Sequence, residues 1–148
     1  MWELFRKYHY LNTSLSNSAR CFVGMINNVP IAFHALLHFP HPSSKKFKRG
    51  HILVVLPDYQ GLGIGLRFNE KIAQIYIDQG YRYIVTSASP TLSHARNKSK
   101  KWKLTSCGRK GGHKGKRDKI DLWNKSSAKR FTTSWEYIGE SAIRATAQ

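Results

Sequence analysis

Residues 51–68, HILVVLPDYQGLGIGLRF, constrain the fold more than any other stretch of the chain. An apolar run stops at Pro57-Asp58, glycines follow at 61, 63 and 65, and a helical pattern starts directly after them. This order puts bare backbone at a strand's end and at a helix's start. A sheet leaves a crevice at such a junction, and the unpaired helix N–H groups attract an anion. Glycines there remove the side chains that would hold an anion away from converging amides. The stretch therefore predicts a ligand lying close to this backbone.

The flanking patterns supply a sheet. Trp2, Leu4, Phe5, Tyr8 and Leu11 recur at helical spacing. Residues 20–28 and 31–39 read as two strands joined at Asn27-Asn28-Val29-Pro30, an antiparallel hairpin. A polar, basic loop over 40–50 leads to a third strand, 51–56. A helix over 63–79 has Ile64, Phe68, Ile72, Ile75 and Tyr76 as its apolar stripe and Gly80 as its stop. Then come a strand at 83–87, a short helix over 91–100 introduced by Ser89-Pro90, and strands at 102–106 and 131–137. A meander followed by strand–helix alternation predicts one α/β (α+β) domain over residues 1–148. Its central sheet is mixed and mostly antiparallel, flanked by helices. Residues 108–128, rich in glycine and lysine at their start, are expected to form a basic, mobile insertion.

Three phosphate-binding loops compete for the glycines. A Walker loop needs Lys-Ser or Lys-Thr after its last glycine, and none follows here. A dinucleotide fingerprint needs G-x-G-x-x-G in the first βαβ unit, and a preceding meander is wrong for that fold. The pattern Q-x-x-G-x-G is met by Gln60, Gly63 and Gly65. With the apolar strand and Pro-containing turn before it, LVVLPDYQGLGIG resembles the acyl-CoA motif of the GCN5-related N-acetyltransferase (GNAT) superfamily, and the likeness extends over about residues 20–107. A tight turn that needs glycine for positive φ is the plain alternative.

The resemblance implies an acyl-CoA-dependent N-acyltransferase with acetyl-CoA, or another acyl-CoA, as co-substrate. It implies that the backbone of Gln60, Gly61, Leu62, Gly63, Ile64 and Gly65 holds the coenzyme A pyrophosphate, with Val55 and Leu56 beside the pantetheine arm. Two departures stand out. The family's usual first strand is absent, displaced or supplied from outside the chain. Where the family often carries a thiolate-reprotonating tyrosine, Ser99 falls, a poor acid.

Acyl transfer to an amine needs a neutral nucleophile and a route for its proton. The strand before the loop carries no acid, so His51 is the candidate base, against a plain exposed strand-end histidine. Asp58 and Tyr59 shape the turn. Thr86 and Ser87, at a strand end, are candidate acceptor contacts or helix-capping groups, and His9 is a weaker candidate. His34, His38 and His41 do not form a metal-ligand pattern, so no metal is expected.

Charge bears on the acceptor. Twenty-five Lys and Arg against eight Asp and Glu give +17. Between Arg96 and Lys119 lie eleven basic residues and a single acid, Asp118, and a second cluster comprises Lys45, Lys46, Lys48 and Arg49. A solvated surface is one reading; a polyanion partner, DNA or RNA, is the other. Lys100, Lys101 and Lys103 are then candidate phosphate contacts, with Trp102 and Phe47 placed to stack on bases. Mom-type phage enzymes, which modify adenine in DNA, are a general GNAT-like precedent. Transfer to a small amine or a protein lysine is the alternative, and a non-catalytic nucleic-acid-binding module is the third. No apolar run reaches membrane-spanning length. Cys21 and Cys107 lack paired spacing and are expected to be reduced, as in a cytoplasmic protein. Oligomeric state is open, a dimer included.

Overall fold

The computed structural model describes residues 1–9, 14–40, 46–109 and 131–139. Six strands form one sheet: β1 (Arg20–Ile26), β2 (Val29–His38), β3 (Phe47–Val55), β4 (Arg82–Ser87), β5 (Trp102–Arg109) and β6 (Phe131–Tyr137). Their spatial order is β1-β2-β3-β4-β6-β5. The β3–β4 pair is parallel and the other four pairings are antiparallel, as the strand pattern predicts. Helices α1 (Trp2–Arg6), α2 (Ile64–Asp78) and α3 (Pro90–Lys98) complete the described elements, with a 3₁₀ turn at Pro57–Tyr59. The expected 108–128 insertion lies almost wholly outside the described residues, with Gly108 and Arg109 closing β5.

Alternation along β2 and β3 divides the core between the two faces of the sheet. Phe33, Ala35, Ile52 and Val54 pack with Phe5 of α1. Leu36, Tyr83, Val85, Trp102, Trp135 and Tyr137 pack with Ile72, Ala73 and Tyr76 of α2 on the other. Each large apolar side chain so buried stabilises the fold by about 1.5–3 kcal/mol. Arg82 ties β4 to β6 through a two-pronged contact with Glu136, at 2.6 and 2.8 Å.

Several expectations are corrected. Helix α1 is five residues long and gives way to a turn at Lys7-Tyr8; Tyr10 and Leu11 lie outside the described residues. The expected loop over 40–50 instead becomes strand from Phe47. The reason is that its cations need not leave water for the backbone to pair. Lys48 lies 4.7 Å from the centre of the Tyr81 ring and Arg49 5.5 Å from that of Phe39, while Arg82 of β4 covers the buried Phe47 ring at 4.5 Å. Ile75 is exposed, and Asn69 takes a place on the buried face of α2.

Candidate active site

The parallel ladder between β3 and β4 runs from Phe47↔Arg82 to Gly50↔Val85 and then stops, although both strands continue. Beyond that pair the strands part. A cavity of about 670 Å³ occupies the gap. Its walls come from β3 (Gly50–Leu53, Val55), from the glycine loop (Gln60, Gly61, Gly63–Gly65), from Thr86 and Ser87, and from Leu92, Ala95 and Arg96 of α3. His9, on the α1 side, lines it too. The cleft thus receives residues from both faces of the sheet.

The narrow end is built on a close approach. A Cβ on Gly50 would stand 2.8 Å from Val85 Cγ1 and 3.1 Å from the Tyr83 hydroxyl. The β2–β3 register slips next to it, pairing Leu36 with Gly50 and Ala35 with Ile52, so His51 stands at a bulge opposite no residue of β2. At the wide end Gly61 and Gly63 adopt φ of 79° and 74°, a left-handed conformation that favours glycine. Among the described residues, no atom beyond the adjoining chain lies within 4 Å of where their Cβ atoms would be. Turn geometry and open space for a ligand therefore coexist in this loop.

Under the cleft runs a buried polar chain. His34 Nδ1 lies 2.6 Å from the Ile52 carbonyl oxygen and Nε2 lies 2.5 Å from the Tyr83 hydroxyl. A carbonyl can only accept, so Nδ1 carries the proton and Tyr83 donates to Nε2. Tyr83 Oη is also 2.7 Å from the Asn69 side-chain amide. The proton inventory closes when Asn69 presents Nδ2 to that oxygen, which gives an otherwise unpartnered nitrogen an acceptor. Burial lowers the His34 pKa to about 4 and pushes the Tyr83 phenol far up, so both are neutral at pH 7.

His9 and His51 share the cavity wall. Burial lowers the His9 pKa and the His51 charge lowers it further; His51 is lowered by partial burial and then by Arg49. Trp2 holds the His9 ring edge-on at 6.2 Å between centroids. Both imidazoles are thus predominantly neutral near pH 7.

Among the other expected site residues, Val55, Gln60, Gly61, Gly63, Ile64, Gly65, Thr86 and Ser87 line the cavity. Leu56 and Leu62 do not: Leu56 packs against the α1-side core and its N–H goes to Ile31, while Leu62 is exposed. Gln60 Nε2 donates to the Val55 carbonyl at 2.8 Å, bracing the loop against the strand. Thr86 shares a 3.0 Å contact with Ser134, and Ser87 accepts from the Ser89 N–H. Ser99 caps α3, contacts Glu70 at 3.5 Å and lies off the cavity wall. Lys100 and Lys103 are exposed, Lys101 is 3.9 Å from Glu70, and all three lie away from the cavity. His34, Asn69, Tyr83 and Arg96 were not foreseen. A polar residue inside the α2 stripe and a histidine within IAFHALLHF were the signals available. Among the described residues no cluster of metal-ligating side chains forms.

The model of the "Acetyltransferase (GNAT) family" matches residues 1–97. No curated protein matches the sequence. Solved structures share the fold. The ribosomal-protein-S18-alanine N-acetyltransferase of Escherichia coli superposes with a TM-score of 0.57 at 16% identity, over 84% of this chain and 72% of its own. A Bacillus subtilis acetyltransferase in complex with CoA gives 0.59 at 10% identity, over 81% and 76%. A GNAT family acetyltransferase from Elizabethkingia anophelis with acetyl-CoA bound gives 0.56 at 13% identity, again over 81% and 76%.

Proposed function

The chain belongs to the acetyltransferase (GNAT) family and is an acetyl-CoA-dependent N-acetyltransferase; from that premise we propose how its cleft works and what it acts on. Acetyl-CoA lies in the gap between β3 and β4 with its pyrophosphate on the amides of Gln60–Gly65. The observation that carries this is the parting of the strands at Gly50↔Val85, directly upstream of a glycine loop with open space above it. The thiol-bearing arm follows the edge of β3 that faces β4, which has no strand partner beyond Gly50 among the described residues. About five residues separate Gly50 from Val55, roughly 16 Å of strand, so an arm anchored at the loop delivers its far end beside His51.

The acceptor amine enters from the His9 side. Its nitrogen attacks the thioester carbonyl carbon, the C–S bond breaks, and the amine's surplus proton passes to His51 directly or through water. Partial burial and the neighbouring Arg49 charge keep His51 neutral and able to take that proton. The acceptor is an amino group of a nucleic acid, or of something bound to one. The support is the net charge of +17 and the cations around the sheet, Lys46, Lys48, Arg49, Lys100 and Lys103. A cationic small amine or a protein lysine would be repelled by the same field. An exocyclic base amine is already neutral and asks less of a base, which suits a site with two weak histidines and no carboxylate on β3. Incubation with acetyl-CoA and separate DNA, RNA and protein pools, read by mass spectrometry, tests this. Acetyl groups on nucleobases are expected; acetyl groups confined to protein or small amines overturn the acceptor assignment.

A further inference from the structure

Arg96 is 2% exposed, yet its Nε and Nη1 have no hydrogen-bond partner among the described residues. It extends from α3 to the cavity wall, with its guanidinium carbon 5.0 Å from the Trp102 ring centre. Its acidic neighbour Glu70 is engaged with Trp102 Nε1 at 2.9 Å and with Lys101. A buried cation without a bonded counter-ion is costly, and burying it beside a ligand cleft is understandable where the ligand brings the charge. Its location is the narrow end. Arg96 acts electrostatically on His34 and Tyr83, the two side chains whose atoms stand 3.3 and 3.1 Å from a Cβ at Gly50.

The chemistry of thioester cleavage supplies an anion at that end. When the amine attacks and the C–S bond breaks, the electron pair leaves on sulfur. A group must hold or protonate the thiolate, and Ser99 is off the wall and bonded to Glu70. Tyr83 is neutral and its proton is committed to His34. We propose that Arg96 is a catalytic residue that binds the coenzyme A thiolate through its unpartnered guanidinium N–H groups, so that the leaving group departs as a paired anion and takes its proton from solvent on release. This rests on the cleft binding CoA as described above. Desolvation lowers the Arg96 pKa to about 10, which leaves it charged throughout the working range. A cation beside a sulfur lowers the thiol's pKa.

The test is the thiol pKa of CoA bound to the protein, followed by thiolate absorbance across pH, with desulfo-CoA binding measured in parallel. In the wild type the bound thiol should titrate at least about one unit below free CoA. Arg96→Gln should return it to the free value while desulfo-CoA binds as before, and Arg96→Lys should keep part of the shift. An unshifted thiol in the wild type overturns the proposal even if Arg96→Gln fails to fold. A shift retained in a folded Arg96→Gln protein also overturns it, leaving Arg96 as a packing partner of Trp102. Absence of desulfo-CoA binding to the wild type defeats the cleft assignment itself, and with it the thiolate proposal.

Discussion

Gly50 pairs with Val85, and that pair is the last contact of the parallel ladder before β3 and β4 separate. Every part of the site is measured from it. The buried His34–Tyr83 pair lies beneath it, the bulge at His51 beside it, and the glycine loop at the far end of the same strand. A single absent Cβ lets the strands approach there. Gly50→Ala should therefore destabilise the protein by about 1–3 kcal/mol through overpacking against Val85 and Tyr83. Denaturant unfolding checks this; a change below about 0.5 kcal/mol would mean the junction yields freely.

The His34 chain makes stability depend on pH. His34 titrates near 4 in the fold and near 6.5 unfolded, so between those values the unfolded chain binds the extra proton. Stability is complete above about pH 6.5 and is lost as pH falls toward 4, by about 3 kcal/mol from this group. The lowered pKa values of His9 and His51 act in the same direction. Urea unfolding at pH 7 and pH 4.5 should show the loss, and His34→Gln should flatten it. An unchanged slope in that variant would place the titration elsewhere.

Proton removal by His51 predicts a pH limb below the usual histidine value. Activity, as kcat/KM, should rise with pH through a pKa under 6.5 and level off above, because burial and Arg49 disfavour the imidazolium. His51→Gln should cost about 10²–10⁴-fold. A loss under about threefold with the limb unmoved assigns catalysis to positioning alone.

The glycine loop and the antiparallel meander followed by strand–helix alternation were legible because backbone rules wrote them: positive φ, strand patterning and helix stops act over a few residues. Phe47 and its neighbours misled because charge density reads as loop, whereas stacking on Phe39, Phe47 and Tyr81 lets the cations stay wet beside a paired strand. Arg96 could be counted in a basic run but not located. Whether an arginine is buried depends on Trp102 beside it and on the turn of α3 that aims it inward. Ser99 shows the converse, since a position matched through a motif carries no contact with it. Long-range neighbours decide such cases.

The exposed cations give a separable prediction. Lys100 and Lys103 are exposed and lie away from the cavity, so reversing both to Glu spares the Lys101–Glu70 contact. DNA or RNA binding should weaken, and its salt slope should fall by about one for each phosphate that is no longer neutralised. Unaffected retention on DNA would make this charge a solvated surface.

The cleft itself is tested most directly by calorimetric titration of acetyl-CoA into the wild type and Gly63→Val. Gly63 holds φ of 74° at the first turn of α2, where a β-branched residue is strained and would cover the amides. The wild type should bind one equivalent, and a Gly63→Val protein that still unfolds cooperatively should show no measurable heat. Equal affinity in the two proteins, or no binding to the wild type, would contradict a coenzyme A site between β3 and β4.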